Sequence, residues 1–171
     1  LGGKLGVDVT IVAQVSDEGH SHSPFSSSSI RSALRHGHVA SAAKELGYYW
    51  TAMGKVVRGD QRGRAIGFPT ANIILEKGVE PYRGIYAVRV RDMNAKAERP
   101  WMGAGYFGDR PTFDSPRTFL EVHLLDCSAD LYGTTLAVEF VASIRPVRRF
   151  QPTVTLQTYR EEACWATRPS P

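Results

Sequence analysis

A small antiparallel β-barrel or β-sandwich behind a short α/β segment is the fold class that this 171-residue sequence predicts, and three observations carry it. From Tyr48 onward six β-rich runs follow one another: "YYWTAMGKVV", "FPTANIIL", "GIYAVRVRD", "WMGAGYFG", "FLEVHLLD" and "TLAVEFVASI". Gly, Pro, Asn and Asp fill the gaps between them, as turns do. Little helical spacing separates the runs, so the strands are expected to be antiparallel, with their edges closed or covered.

The elements follow in chain order. The opening "LGGKLGVDVTIV" has no Met and no basic region ahead of an apolar one; it reads as a cut into a longer chain, without a secretory signal. "VDVTIVAQV" reads as an apolar strand and "DEGHSHSPFSSSS" as a polar loop. "IRSALRHGHVASAAKELG" has helical spacing through Ile30, Ala33 and Leu34, then Val39, Ala42, Ala43 and Leu46. The serine run ending at Ser29 supplies a helix N-cap, and Gly37 and Gly47 are placed to end two helices. After the six strand runs, "TVTLQTYREEACWA" predicts a last helix with Leu156, Tyr159 and Ala163 on one stripe.

A chain of 171 residues supports one well-buried core, and no apolar run approaches the roughly 20 residues that cross a bilayer. Cys127 and Cys164 have neither CxxC spacing nor a nearby His at zinc-ligand spacing; reduced thiols in a cytoplasmic protein fit best. The net charge of +4 favours anionic partners. A nucleic-acid surface would interleave aromatics with basic residues on one sheet face, whereas Phe107, Phe113, Phe119 and Phe140 read as structural. Nucleic acid is therefore not an expected partner, and neither is a membrane.

Three stretches carry candidate chemistry. In "AIGFPTANIIL" Pro69 fixes its own φ and keeps Phe68 out of the helical region, so the strand is entered extended and stiff. Thr70 and Asn72, two apart on a strand, then present a hydroxyl and an amide on one face. In "GKVVRGDQRGRAIGFPTAN" Gly54, Gly59, Gly63 and Gly67 alternate with Arg58, Arg62 and Arg64. Successive free N–H groups of such a loop make an anion-binding nest, with phosphate as the obvious guest; a glycine-rich hairpin needing positive φ is the plain structural alternative. A P-loop is excluded, because Asp60 and Gln61 stand where Lys and Ser/Thr are required. In "FLEVHLLDCSADLYG" alternation puts Leu120, Val122 and Leu124 on one face and Phe119, Glu121, His123 and Leu125 on the other. Glu121 is then either a solvent-face carboxylate or a proton acceptor for an alcohol. His123 reads as packed or exposed rather than functional. Arg110 precedes a Pro-Thr turn, and Arg145, Arg148 and Arg149 in "IRPVRRF" read as charge at a strand end.

Taken in order, "GKVVRGDQRGRAIGFPTANI", "GIYAV", "GYFGDRPTF", "LEVHLLDCSADLYG" and "IRPVRRF", from about Trp50 to Phe150, closely resemble the riboflavin kinase family. Upstream, "FSSSSIRSALRHGHVASAAKELGY" is similar to the end of the FMN adenylyltransferase domain of bifunctional bacterial FAD synthetases. The resemblance implies a remnant of a Rossmann-like domain over 1–47 and a kinase domain over 48–171, the latter a six-stranded antiparallel β-barrel with a C-terminal helix. It implies transfer of the γ-phosphate of ATP to the ribityl 5′-hydroxyl of riboflavin, giving FMN and ADP. Thr70 and Asn72 would help hold Mg²⁺ or another divalent cation and the phosphates. A flap over the nucleotide would run from Gly54 through Gly59, Arg62 and Gly63 to Gly67, with Pro69 among the binding residues beside it. Glu121 would be the catalytic base, and Arg145 would line the flavin side. The rival reading is a flavin- or nucleotide-binding module without catalysis. "GHSHSP" lacks the order and setting of an HxGH nucleotidyltransferase motif, so this chain alone is not expected to make FAD; the serines 26–28 and Arg31, which match that domain's second phosphate motif, are expected to serve as a helix cap. "TVTLQTYREEACWA" departs in places from the family's acidic pattern.

Overall fold

The computed structural model describes residues 24–59, 69–75, 80–95, 99–110, 117–125, 127 and 129–147, with isolated positions at 4, 6, 8, 10, 12, 15 and 78. The strand expected over 7–15 falls largely outside the described residues; the helix expected after residue 152, and Arg148 and Arg149, lie wholly outside them. Among the described residues, no helix is long and apolar enough to cross a membrane.

Both expected N-terminal helices are present, as α1 (Ser27–Arg35) and α2 (Val39–Leu46). The expected serine cap is present, at the start of the run. Ser26 is extended, and its hydroxyl accepts from the Ser29 N–H at 3.0 Å, which satisfies one of the free donors of the first turn. Gly47 ends α2 in the left-handed conformation at φ 78°, where a Cβ would be strained. The Ser29 hydroxyl donates to the Glu45 carboxylate and so ties the two helices together. Leu34, Val39 and Ala42 are buried in the same apolar cluster as the strands, and the Tyr82 N–H donates to the Leu34 carbonyl at 2.9 Å.

All six expected strands form: β1 (Thr51–Val57), β2 (Thr70–Leu75), β3 (Gly84–Asp92), β4 (Trp101–Arg110), β5 (Arg117–Leu124) and β6 (Thr135–Pro146). They close into an antiparallel barrel in the order β1-β2-β5-β4-β3-β6. Closure removes the free edges that six short strands would otherwise expose. Alternation decides what points inward. Leu120, Val122 and Leu124 of β5 meet Ile73, Val56, Phe107 and Val88 inside, while Glu121 and His123 face outward. Tyr86 and Trp50 each meet Phe140 edge-on at 5.0 Å, an arrangement aromatic quadrupoles favour. Burial raises the Tyr86 phenol to about 12, and its hydroxyl donates to the Tyr82 carbonyl.

Of the phenylalanines expected to be structural, Phe107 and Phe140 are fully buried. Phe119 instead lies on the outer face, its ring 5.7 Å from that of Tyr106, and Phe113 is outside the described residues. Ion pairs between strands and loops brace the exterior. Arg83 makes two hydrogen bonds to Asp109, at 2.6 and 2.9 Å, and this guanidinium holds the Asp109 carboxyl below its usual range. Arg89 of β3 bonds Glu139 of β6 while lying 4.8 Å from the centre of the Tyr49 ring.

Candidate active site

Because β2 pairs with β5 rather than with β3, the Pro69–Asn72 stretch comes to rest beside residues 121–123. Thr70 lies opposite His123, and Asn72 opposite Glu121. Residues directly opposite share a face, with Cβ atoms about 4.5–5.5 Å apart. Ile73 and Leu120, the next pair, are buried, which fixes the Thr70, Asn72, Glu121 and His123 side chains on the outside of the barrel. Hydroxyl, amide, carboxylate and imidazole thus form one patch.

A cleft of about 450 Å³ opens beside this patch, where β1 leaves the barrel and β2 enters it. Its apolar side is Val56, Val122 and Leu124; its polar rim is Pro69, Thr70 and Asn72. The far wall is the turn after β5, with Cys127, Leu131 and Tyr132. That turn is built locally. The Asp130 carboxylate accepts from the Tyr132 N–H at 3.1 Å, Gly133 supplies a φ of 79°, and the Gly133 N–H reaches the Val56 carbonyl at 3.0 Å. The Arg58 guanidinium lies 5.7 Å from the centre of the Tyr132 ring.

Gly59 also lines the cleft, and a side chain there has no room. An added Cβ would lie 2.3 Å from Asn72 Nδ2 and 2.8 Å from Oδ1. The Asn72 amide is therefore packed directly on the Gly59 backbone, an approach only glycine permits.

The register places the expected site residues unevenly. Gly59, Pro69, Thr70 and Asn72 line the cleft, and Glu121 stands next to Asn72. Gly54 corrects the loop expectation. It is buried in the middle of β1, paired with Leu75 and Leu136, and an added Cβ would fall 2.1 Å from the Ile74 carbonyl oxygen. Its lack of a side chain allows the two strands to approach. Arg62, Gly63 and Gly67 lie outside the described residues. Arg145 does not line the cleft, but it stands on the same register row, which runs Asn72, Glu121, Tyr106, Ile85, Arg145 across five strands. Tyr106 on that row was not singled out from the sequence. Its hydroxyl lies over Gly108, where an added Cβ would come within 2.6 Å; an aromatic two residues before a glycine is too common a pattern to signal this.

Comparison with known proteins follows the same pieces. A family model described as riboflavin kinase matches residues 46–168. The bifunctional riboflavin kinase/FMN adenylyltransferase of Escherichia coli (strain K12) is 44% identical over 126 residues, covering 74% of this chain and 39% of that protein. The protein of the same description in Bacillus subtilis (strain 168) is 36% identical over 154 residues, 88% of this chain and 46% of the relative. A crystal structure described as a macrolide-efflux protein from Streptococcus pneumoniae superposes with a TM-score of 0.82 at 32% identity, over 97% of this chain and 53% of that one. The chain thus spans less than half the length of these two curated relatives. With most of its length matched by the family model, and with a closed six-stranded barrel that sets the PTAN residues against Glu121, the chain belongs to the riboflavin kinase family.

Proposed function

We propose that this chain phosphorylates riboflavin at the ribityl 5′-hydroxyl, with ATP as phosphoryl donor and FMN and ADP as products. The observation that carries the reading is the register of β2 on β5, which sets Asn72 beside Glu121 and Thr70 one step along the same face. Phosphoryl transfer asks for positioning and charge neutralisation more than covalent help. A polar rim over an apolar-sided cleft is suited to that.

The donor types fit a divalent cation. Thr70 offers a hydroxyl oxygen and Asn72 an amide oxygen, both hard ligands, and Mg²⁺ commonly completes its shell with phosphate oxygens and water. Among the described residues no three His, Cys, Asp or Glu side chains cluster as an all-protein cage. When bound, the cation would neutralise phosphate charge; Thr70 and Asn72 are the residues that would hold it. Glu121 takes the proton from the 5′-hydroxyl at its carboxylate as that oxygen bonds to the γ-phosphorus and the bond to the β–γ bridging oxygen breaks. Gly59 keeps the Asn72 amide in place, and Val56, Val122 and Leu124 exclude water from one side of the cleft. The row from Glu121 to Tyr106, Ile85 and Arg145 supports a flavin-side role for Arg145. Arg62, Gly63 and Gly67 belong to the same proposal as nucleotide-loop residues, on the family resemblance alone. So do a cytoplasmic setting and the division into 1–47 and 48–171; the family match beginning at Leu46 supports that division.

The test is an assay of the purified chain with riboflavin, ATP and Mg²⁺, separating riboflavin, FMN and FAD by chromatography. FMN without FAD is the expected result. A folded sample that binds flavin but makes no FMN would favour the binding-module reading, and FAD would reveal an adenylyl transfer that the chain is not expected to perform.

A further inference from the structure

We propose that His123 is the positioning residue that sets the direction of the Thr70 hydroxyl, an inference that rests on the kinase reading above. His123 Nδ1 lies 3.0 Å from the Pro69 carbonyl oxygen. A carbonyl only accepts, so Nδ1 carries the hydrogen and donates. His123 is also the direct register partner of Thr70 across β2 and β5, and of Ala104 across β4 and β5.

The consequence follows from proline's geometry. The ring fixes φ of Pro69, so the one soft dihedral left there is ψ, which swings the carbonyl. A hydrogen bond to that carbonyl fixes ψ. The same peptide plane carries the Thr70 nitrogen and Cα; with the Thr70 φ restrained by its pairing with His123, holding that plane sets where the Thr70 Cα–Cβ bond points, and the Asn72 side chain follows two residues along the same strand face. His123 sits beside Glu121 on β5 without being asked to touch a reacting atom. Its donor ties the strand that holds the proposed base to the stretch that holds the proposed metal and phosphate groups.

The experiment compares wild type with His123→Asn, His123→Gln and His123→Ala by calorimetric titration with ADP in the presence of Mg²⁺, by KM for ATP against kcat, and by thermal melting. An Asn side chain places its Nδ2 donor where the imidazole Nδ1 stands; a Gln side chain places its donor one bond farther out. His123→Gln and His123→Ala are expected to weaken Mg–ADP binding and raise KM for ATP about 3- to 10-fold, the range that one hydrogen bond of ordinary net strength gives. His123→Asn is expected to restore both to within about twofold, with riboflavin affinity unchanged throughout and the Asn and Gln variants melting alike. Should His123→Ala fail to fold, the Asn and Gln pair decides alone. Equal nucleotide affinity in those two variants, or affinity in His123→Ala equal to wild type, would overturn the role of His123 while leaving the kinase reading intact. A wild-type chain that neither binds Mg–ADP nor forms FMN would remove the kinase reading itself.

Discussion

Asn72 on β2 and Glu121 on β5 are direct cross-strand partners, although two complete strands separate them in the sequence. Non-sequential pairing in a closed barrel is what brings them together. The same relationship makes the patch rigid, because each residue is flanked by a buried neighbour, Ile73 on one strand and Leu120 or Val122 on the other. Side chains held on strands by buried neighbours keep the geometry that phosphoryl transfer demands.

Gly59→Ala separates the site from the fold. The new Cβ would occupy space held by the Asn72 amide, 2.3 Å from Nδ2, and a side-chain amide at the cleft rim can turn away at little cost in stability. Melting is expected to change by less than about 0.5 kcal/mol, while kcat/KM for ATP falls about 10- to 100-fold, the usual consequence of a small misplacement in a reacting site. Steady-state kinetics beside a thermal melt checks both halves.

Gly54→Ala is expected to behave in the opposite way. Its Cβ would meet backbone, 2.1 Å from the Ile74 carbonyl oxygen, as well as Ile73 Cγ2 at 2.6 Å. Overpacking of that kind costs about 1–3 kcal/mol, roughly 2–12 °C in melting temperature for a domain of this size. The folded fraction should bind Mg–ADP as wild type does. A variant with normal melting and lost nucleotide affinity would return Gly54 to the nucleotide loop.

The Tyr86 phenol gives a pH signature. Its folded value is raised to about 12 from an ordinary 10.0, chiefly because burial opposes the phenolate. A group held neutral in the fold contributes stability that is fully present below pH 10 and is lost as pH rises toward 12. Tyr86 is expected to ionise late when absorbance is followed upward from pH 9, with unfolding accompanying it. Tyr86→Phe should abolish that late step, and a titration with no late step in the wild type would contradict the burial.

Much of this was legible in the sequence, for identifiable physical reasons. Alternation through Leu120, Val122 and Leu124 announced both the β5 strand and its inward face, and Pro69 announced a stiff entry to β2. The order in which strands pair was not legible, since no local pattern states that β2 chooses β5 over β3. The close packing at Gly54 was not legible, because glycine spacing looks the same whether the missing Cβ makes room for an anion or for the Ile74 carbonyl. The helix cap was found in the right run, and the structure places it at Ser26, one of four consecutive serines, 26–29, that all qualify as caps. His123 could not be valued, because it bonds a backbone carbonyl that lies just ahead of β2, far away in sequence.

The measurement that bears most directly on the account is the rate of FMN formation by Glu121→Gln, set beside wild type under saturating riboflavin, ATP and Mg²⁺. Gln keeps the size and outward placement of the side chain but cannot take the hydroxyl proton. The predicted result is a rate about 10²- to 10⁴-fold below wild type, with melting and Mg–ADP affinity unchanged. Near-normal turnover in that variant would contradict the assignment of Glu121 and, with it, the site built on the Asn72–Glu121 pair.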